Sequence, residues 1–158
     1  MKDTLFTVEQ YIERPRSEVF AFFSTPRNLE AITPPWLRFR MLDQSTNEIG
    51  EGTELTYRLR IRGLPVTWKS RIEEWRPGQG FVDVQVRGPY SKWHHTHAFE
   101  DHGSGTVIRD RVLYRLPLAP LGDWIAGGLV RSDVQKIFRF RRARTAELLE
   151  RGSRARCG

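Results

Sequence analysis

The chain switches between two hydrophobic rhythms. From Leu5 to Glu13, Phe6, Val8, Gln10 and Ile12 occupy every second position, the period of a strand with one buried face. Pro15 then opens a helix, because its fixed φ and missing N–H suit a first turn, and Glu18 falls where negative charge is favoured. Val19, Phe20, Phe22 and Phe23 give that helix a buried stripe, and Ser24-Thr25-Pro26 ends it. The pattern predicts a second short helix over Arg27 to Ile32, followed by extended chain through Thr33-Pro34-Pro35-Trp36.

Period two returns at Leu37. Strands are predicted over Leu37 to Leu42, Glu51 to Arg62, Val66 to Trp75 and Phe81 to Arg87. Gly63-Leu64-Pro65 and Pro77-Gly78-Gln79-Gly80 supply turns between them. Leu55, Tyr57, Leu59 and Ile61 point inward from the second of these strands. Val66, Trp68, Ser70 and Ile72 do so from the third, with Glu74 on the same face near the strand end. Gly88-Pro89 leads into two further strands joined by a Gly-rich loop. Trp93, His95, His97 and Phe99 share one face of the first, and Ile108, Asp110, Val112 and Tyr114 share one face of the second.

From Leu118 to Arg151 the spacing becomes helical, through Val130, Val134, Ile137, Phe138, Leu148 and Leu149, with a bend expected at Gly127-Gly128. This order predicts an α+β fold: a curved antiparallel sheet wrapped around a long C-terminal helix, with two short helices after the first strand. Residues 1–151 are expected to form a single ligand-binding domain, and 152–158 a disordered basic tail.

Composition adds bounds. The 158 residues are 39% hydrophobic and 28% charged, which places the chain among globular proteins. Cys157 is the only cysteine, so no intramolecular disulfide forms. No apolar run reaches membrane-spanning length, and MKDTLFTVEQYIERP lacks the apolar core of a signal peptide. A cytoplasmic protein without membrane insertion is expected. The net charge of +7 comes from 26 basic and 19 acidic residues and is spread along the chain. The arginines from Arg139 to Arg144 fan around several helix faces without interleaved stacking aromatics on a strand, so they read as a solvated surface rather than a specific nucleic-acid site.

The combination resembles the START-like, or SRPBCC, superfamily, which includes polyketide cyclase/dehydrase-like proteins. The resemblance is carried by the opening strand running into Pro15-x-x-x-Val19-Phe20, the Trp36 region, Gly88-Pro89-Tyr90-x-x-Trp93-x-His95-x-His97-x-Phe99, Gly105-Thr106-x-x-x-Asp110-x-Val112-x-Tyr114, and Phe138-x-x-Arg141-Arg142. It suggests the bacterial branch with a W-x-H-x-H-x-F strand. It implies a helix-grip fold with a hydrophobic cavity between sheet and long helix. Because members range from lipid carriers to cyclases, it does not imply one chemistry.

The candidate chemistry centres on His95, His97 and Asp110, polar residues on otherwise apolar faces. One reading makes them core residues satisfied by one another, by Tyr57 or by backbone. Another makes them the polar anchor of a pocket walled by Tyr57, Trp68, Trp93, Phe99 and Tyr114, with Trp124 closing its mouth. If the chain is an enzyme, His95, His97 and Asp110 are its acid–base residues, acting in a cyclisation or dehydration. Zinc would need a third ligand beside the histidines, such as Asp110 or His102, and without a second His/Cys cluster neither a metal nor another cofactor is expected. His94 alternates to the opposite, solvent-facing side. The expected partner is a small hydrophobic or aromatic molecule, bound by a monomer or homodimer. A cyclase/dehydratase and a basic-surface interaction module are the alternatives.

Overall fold

A computed structural model of the chain describes residues 3–118 and 121–154. Strand β1 (Thr4–Ile12) is followed by helices α1 (Arg16–Phe23) and α2 (Pro26–Ala31). Six strands come next: β2 (Arg40–Gln44), β3 (Glu54–Ile61), β4 (Leu64–Arg76), β5 (Gly80–Arg87), β6 (Lys92–His102) and β7 (Gly105–Arg115). Helix α3 (Leu121–Arg154) closes the described chain. The strands form one seven-stranded antiparallel sheet in the order β1-β7-β6-β5-β4-β3-β2. This is the α+β helix-grip architecture, with the sheet curved against the long helix.

The alternations set the faces. On β1, Phe6, Val8, Gln10 and Ile12 are the more buried positions and the intervening residues are exposed. On β6 and β7 the register places Trp93 opposite Tyr114, His95 opposite Val112, His97 opposite Asp110 and Phe99 opposite Ile108. Helix α1 lays Phe20 and Phe23 on Phe99, with ring centroids 5.5 and 5.4 Å apart. Such aromatic pairs add about 0.5–1.5 kcal/mol each beyond the area they bury. Val134 and Phe138 of α3 pack with Val112 and Tyr114 of β7.

Several local expectations need correction. The segment at Trp36 is not extended: Pro35–Leu37 forms a short 3₁₀ turn, because proline suits a first helical position, and Arg38 leaves it at φ 45°. Strand β2 therefore starts at Arg40 rather than Leu37. The β3–β4 turn is Arg62-Gly63, both at positive φ, with Ile61 paired to Leu64. A two-residue turn of that kind matches the right-handed twist of its strands. Pro65 consequently lies inside β4, where β4 has not yet met β5.

The register between β4 and β5 shifts at Ile72/Glu74. One extra residue in β4 reverses the alternation, so Trp75 turns inward and Glu74 turns out to pair with Arg76. Helix α3 begins at Leu121 and runs through Gly127 and Gly128 to Arg154. Residues 152–154 of the predicted tail are thus helical, since glycine weakens the backbone ladder without removing a donor. Residues 155–158 lie outside the described residues.

Gly80 allows β5 to approach β6 beside His97. A Cβ there would sit 2.3 Å from the His97 carbonyl oxygen. Gly80→Ala is expected to lower stability by about 1–3 kcal/mol through overpacking against backbone. An unfolding midpoint in urea equal to that of the wild type would contradict this close approach.

Candidate functional site

The middle of the sheet carries four polar residues in one cluster. Asp83 of β5 is in register with His95 of β6, and Asp110 of β7 is in register with His97. The short contacts run along the diagonals. Asp83 Oδ2 lies 2.8 Å from His97 Nε2, and Asp110 Oδ1 lies 2.8 Å from His95 Nε2. The second contact of each carboxylate is longer, 3.6 Å from Asp83 to His95 Nδ1 and 3.1 Å from Asp110 to His97 Nδ1. The two imidazole centroids are 3.7 Å apart, and Phe81 stacks on His97 at 4.2 Å. His95 and His97 are 4% and 3% exposed, so each of these bonds is made away from water.

Burial alone would keep such groups neutral, and the cluster reverses this for three of the four. Burial works to raise the Asp110 carboxyl, but the bond from His95 and the close approach of the His97 ring outweigh it and hold Asp110 below the usual carboxylate range. Asp83 is held low against the same opposition, by the bond from His97 and the charges of His95, His97 and Arg141. Burial pushes His97 down, yet the adjoining carboxylates of Asp110 and Asp83 raise it above its ordinary value. His95 goes the other way, lowered by burial and by the charge on His97. Two neighbouring imidazoles thus differ in proton affinity, which is the arrangement proton transfer needs.

The cluster forms part of one wall of a cavity of about 710 Å3 between the sheet, α3 and the α1–α2 segment. That volume suits a small organic ligand. The structure places Tyr57, Trp68, Trp93, His95 and His97 on its lining, as the alternation predicts. Phe99, Asp110 and Tyr114 stand outside that lining. Phe99 is packed under α1, Tyr114 against α3 and neighbouring rings, and Asp110 behind the histidines. Trp124 does not close the mouth: it is 86% exposed, on the outer side of the first turn of α3. The tip of the β3–β4 hairpin lies at the lining instead, where Arg62 makes a two-pronged ion pair with Asp133 of α3.

Asp83, Trp75 and Arg141 are among the lining residues that the sequence pattern does not mark. Asp83 shares the parity of Phe81 on β5, the one signal that would have turned it inward. Trp75 depends on the bulge in β4. Arg141, expected on a solvated face, follows Ile137 and Phe138 at helical spacing on the cavity side. Its guanidinium lies over the rings of Phe23 and Phe138, and its Nε is buried without a partner among the described residues. Tyr57, expected near the histidines, bonds Ser70 instead at 2.9 Å, and burial pushes its phenol far above the usual range. His94 faces outward and pairs with Glu73 at 3.5 Å. Among the described residues, Asp83, His95 and His97 are the His/Cys/Asp/Glu group whose donor atoms all come within 4.8 Å of one another. His102, the other candidate ligand, lies at the exposed end of β6 beside Tyr11.

The family model for polyketide cyclase / dehydrase and lipid transport matches residues 12–140. Among solved structures, the chain is similar to the ZhuI aromatase/cyclase from a Streptomyces species, at 15% identity and TM-score 0.78, covering 99% of each chain. It is similar to the di-domain ARO/CYC BexL, at 19% identity and TM-score 0.76, covering 94% of this chain and 50% of that one. It is also similar to TTHA0849 from Thermus thermophilus, at 19% identity and TM-score 0.71, covering 95% and 99%. At these identities the likeness shows the fold. No curated protein matches the sequence. Among the described residues, no helix is long and apolar enough to cross a membrane.

The cluster predicts a specific response to acid. A carboxylate whose folded pKa is depressed stabilises the fold above its unfolded value, near 3.9, and loses that contribution as the pH falls through the folded value. Asp110→Asn is expected to cost about 1.5–3 kcal/mol at pH 7 and to flatten the decline in stability below about pH 4. Urea unfolding at several pH values reads both effects, and parallel profiles for the two proteins would refute the assignment.

Proposed function

The chain belongs to the polyketide cyclase / dehydrase and lipid transport family, and from that premise we propose that it binds a small aromatic or hydrophobic ligand in the cavity, polar end toward the histidines. The observation that carries this reading is the composition of the cavity wall. A largely apolar lining with several aromatic rings surrounds a few converging polar groups: Asp83, His95 and His97 on the sheet side, and Arg141 on the helix side. Apolar walls supply affinity by removing ligand surface from water, and a few fixed polar groups select orientation. Arg141 favours a ligand with an oxygen-rich or anionic end, because its buried Nε lacks a partner among the described residues and an acceptor there would satisfy it.

A fluorescent aromatic anion, 1-anilinonaphthalene-8-sulfonate, tests the reading directly. It is expected to bind with one site per chain and to quench Trp68 and Trp93. Arg141→Met should weaken it by roughly 10–100-fold, the worth of a charge-assisted hydrogen bond. Ile137→Trp, which extends a ring from α3 into the cavity, should abolish it while leaving the far-UV spectrum intact. Equal binding by the wild type and folded Ile137→Trp would overturn the reading. Native mass spectrometry with solvent extraction of the wild type then identifies any molecule carried through purification.

A second reading is favoured by one feature. His97 is raised above its ordinary value by Asp83 and Asp110, so it is suited to act as an acid facing the cavity. In that reading the chain catalyses an aldol cyclisation or dehydration of a poly-β-ketone; the similar ZhuI structure is an aromatase/cyclase and BexL a di-domain ARO/CYC. A bell-shaped pH profile of kcat/KM is expected with a linear poly-β-ketone thioester, and His97→Gln should lower kcat by about 10²–10⁴-fold. A pH-independent rate would exclude this chemistry.

A further inference from the structure

We propose that Asp83, His95 and His97 form a site for one divalent transition-metal cation of the zinc class, with its open coordination positions facing the cavity. The inference rests on the cavity reading only for what lies beyond those open positions.

The ring nitrogens are divided between two carboxylates in the way such a site requires. Asp110 Oδ1 takes His95 Nε2 at 2.8 Å and lies 3.1 Å from His97 Nδ1. The nitrogens left over, His95 Nδ1 and His97 Nε2, both face Asp83 Oδ2, at 3.6 and 2.8 Å. All three donors lie within 4.8 Å of one another. A tetrahedral ion with bonds of about 2.0–2.1 Å holds its ligands roughly 3.3 Å apart, between the two measured separations. Asp110 then fills the outer role usual at metal sites, a carboxylate that fixes the tautomer and orientation of ligating imidazoles.

A further observation points to the same occupant. His97 Nδ1 is buried and lacks a well-directed hydrogen bond, although Asp110 Oδ1 is close by. When His97 donates its Nε2 lone pair to a cation, the proton moves to Nδ1, and the nearby carboxylate becomes its acceptor. Two imidazoles and one carboxylate, without thiolate, suit zinc, cobalt(II) or iron(II) rather than magnesium or calcium. The three donors line the cavity and Asp110 does not. A three-residue site therefore leaves a position open on the ligand side, where the cation can hold and polarise a ligand oxygen.

The test uses full-length protein stripped with a chelator and titrated with cobalt(II) alone, whose visible absorption reports coordination, then competed with zinc. One equivalent is expected to bind. Asp83→Asn should weaken binding by more than 100-fold, Asp110→Asn by about 10–100-fold, and His102→Ala should change nothing. In the wild type, nitrogen NMR should show zinc shifting His95 Nδ1 and His97 Nε2, a readout that needs no variant. No saturable cobalt binding, or shifts confined to His94 and His102, would overturn the proposal. Failure of the naphthalene probe with cobalt binding intact would overturn the cavity reading alone, and the converse would overturn this one alone.

Discussion

Two carboxylates and two imidazoles lie inside an apolar wall, and most of the structure is arranged so that they can. An isolated carboxylate in that position would cost several kcal/mol or take up a proton. Here each carboxylate is bonded by a histidine, and the pairing crosses three neighbouring strands. A slip of one residue between β5, β6 and β7 would turn the polar set outward and strand the partners left behind. Register and site are therefore one constraint. The bare edge of Gly80 serves it by letting β5 close on the backbone at His97.

The cavity survives because the packing around it is anchored elsewhere. One apolar cluster gathers α1 against β6 and β7 through Phe20, Phe99 and Ile108, and another gathers α3 against β7 through Val134, Phe138 and Val112. A third joins Leu37 and Leu59 to Trp68 on the same face, toward the β3 end of the sheet and along the cavity. These contacts hold the helix at the sheet without filling the space before β4 and β5. The Arg62–Asp133 ion pair adds a tie from the β3–β4 turn to α3, but exposed pairs of this kind contribute little energy. Its significance is position.

The positive charge is largely unconnected with the cavity. Arg109 pairs with Glu9 and Glu100, Arg115 with Asp3, and Arg144 with Glu147, each on a solvated face. Arg141 departs from this pattern. It lies among rings, faces Asp83 across the cavity, and helps keep that carboxylate ionised. A helix that reads as uniformly basic along its sequence therefore has one arginine with a different task from its neighbours.

Local periodicity determined the architecture and three of the four residues of the polar cluster. Alternation along β6 and β7 is enough to bring His95, His97 and Asp110 to one face, and the change to helical spacing after Leu118 announces the long helix. Tertiary structure decided the rest, because each missing element depends on a relation between segments. The β4 bulge exchanges Glu74 for Trp75, and its extra residue is visible only in the pairing with β5. Asp83 reads as an ordinary strand acid until β5 is laid beside β6. Arg141 and Trp124 lie on one helix, and which of them meets the cavity depends on the angle at which α3 crosses the sheet. Side-chain parity is a property of a few consecutive residues, whereas enclosure is a property of surfaces brought together from distant parts of the chain.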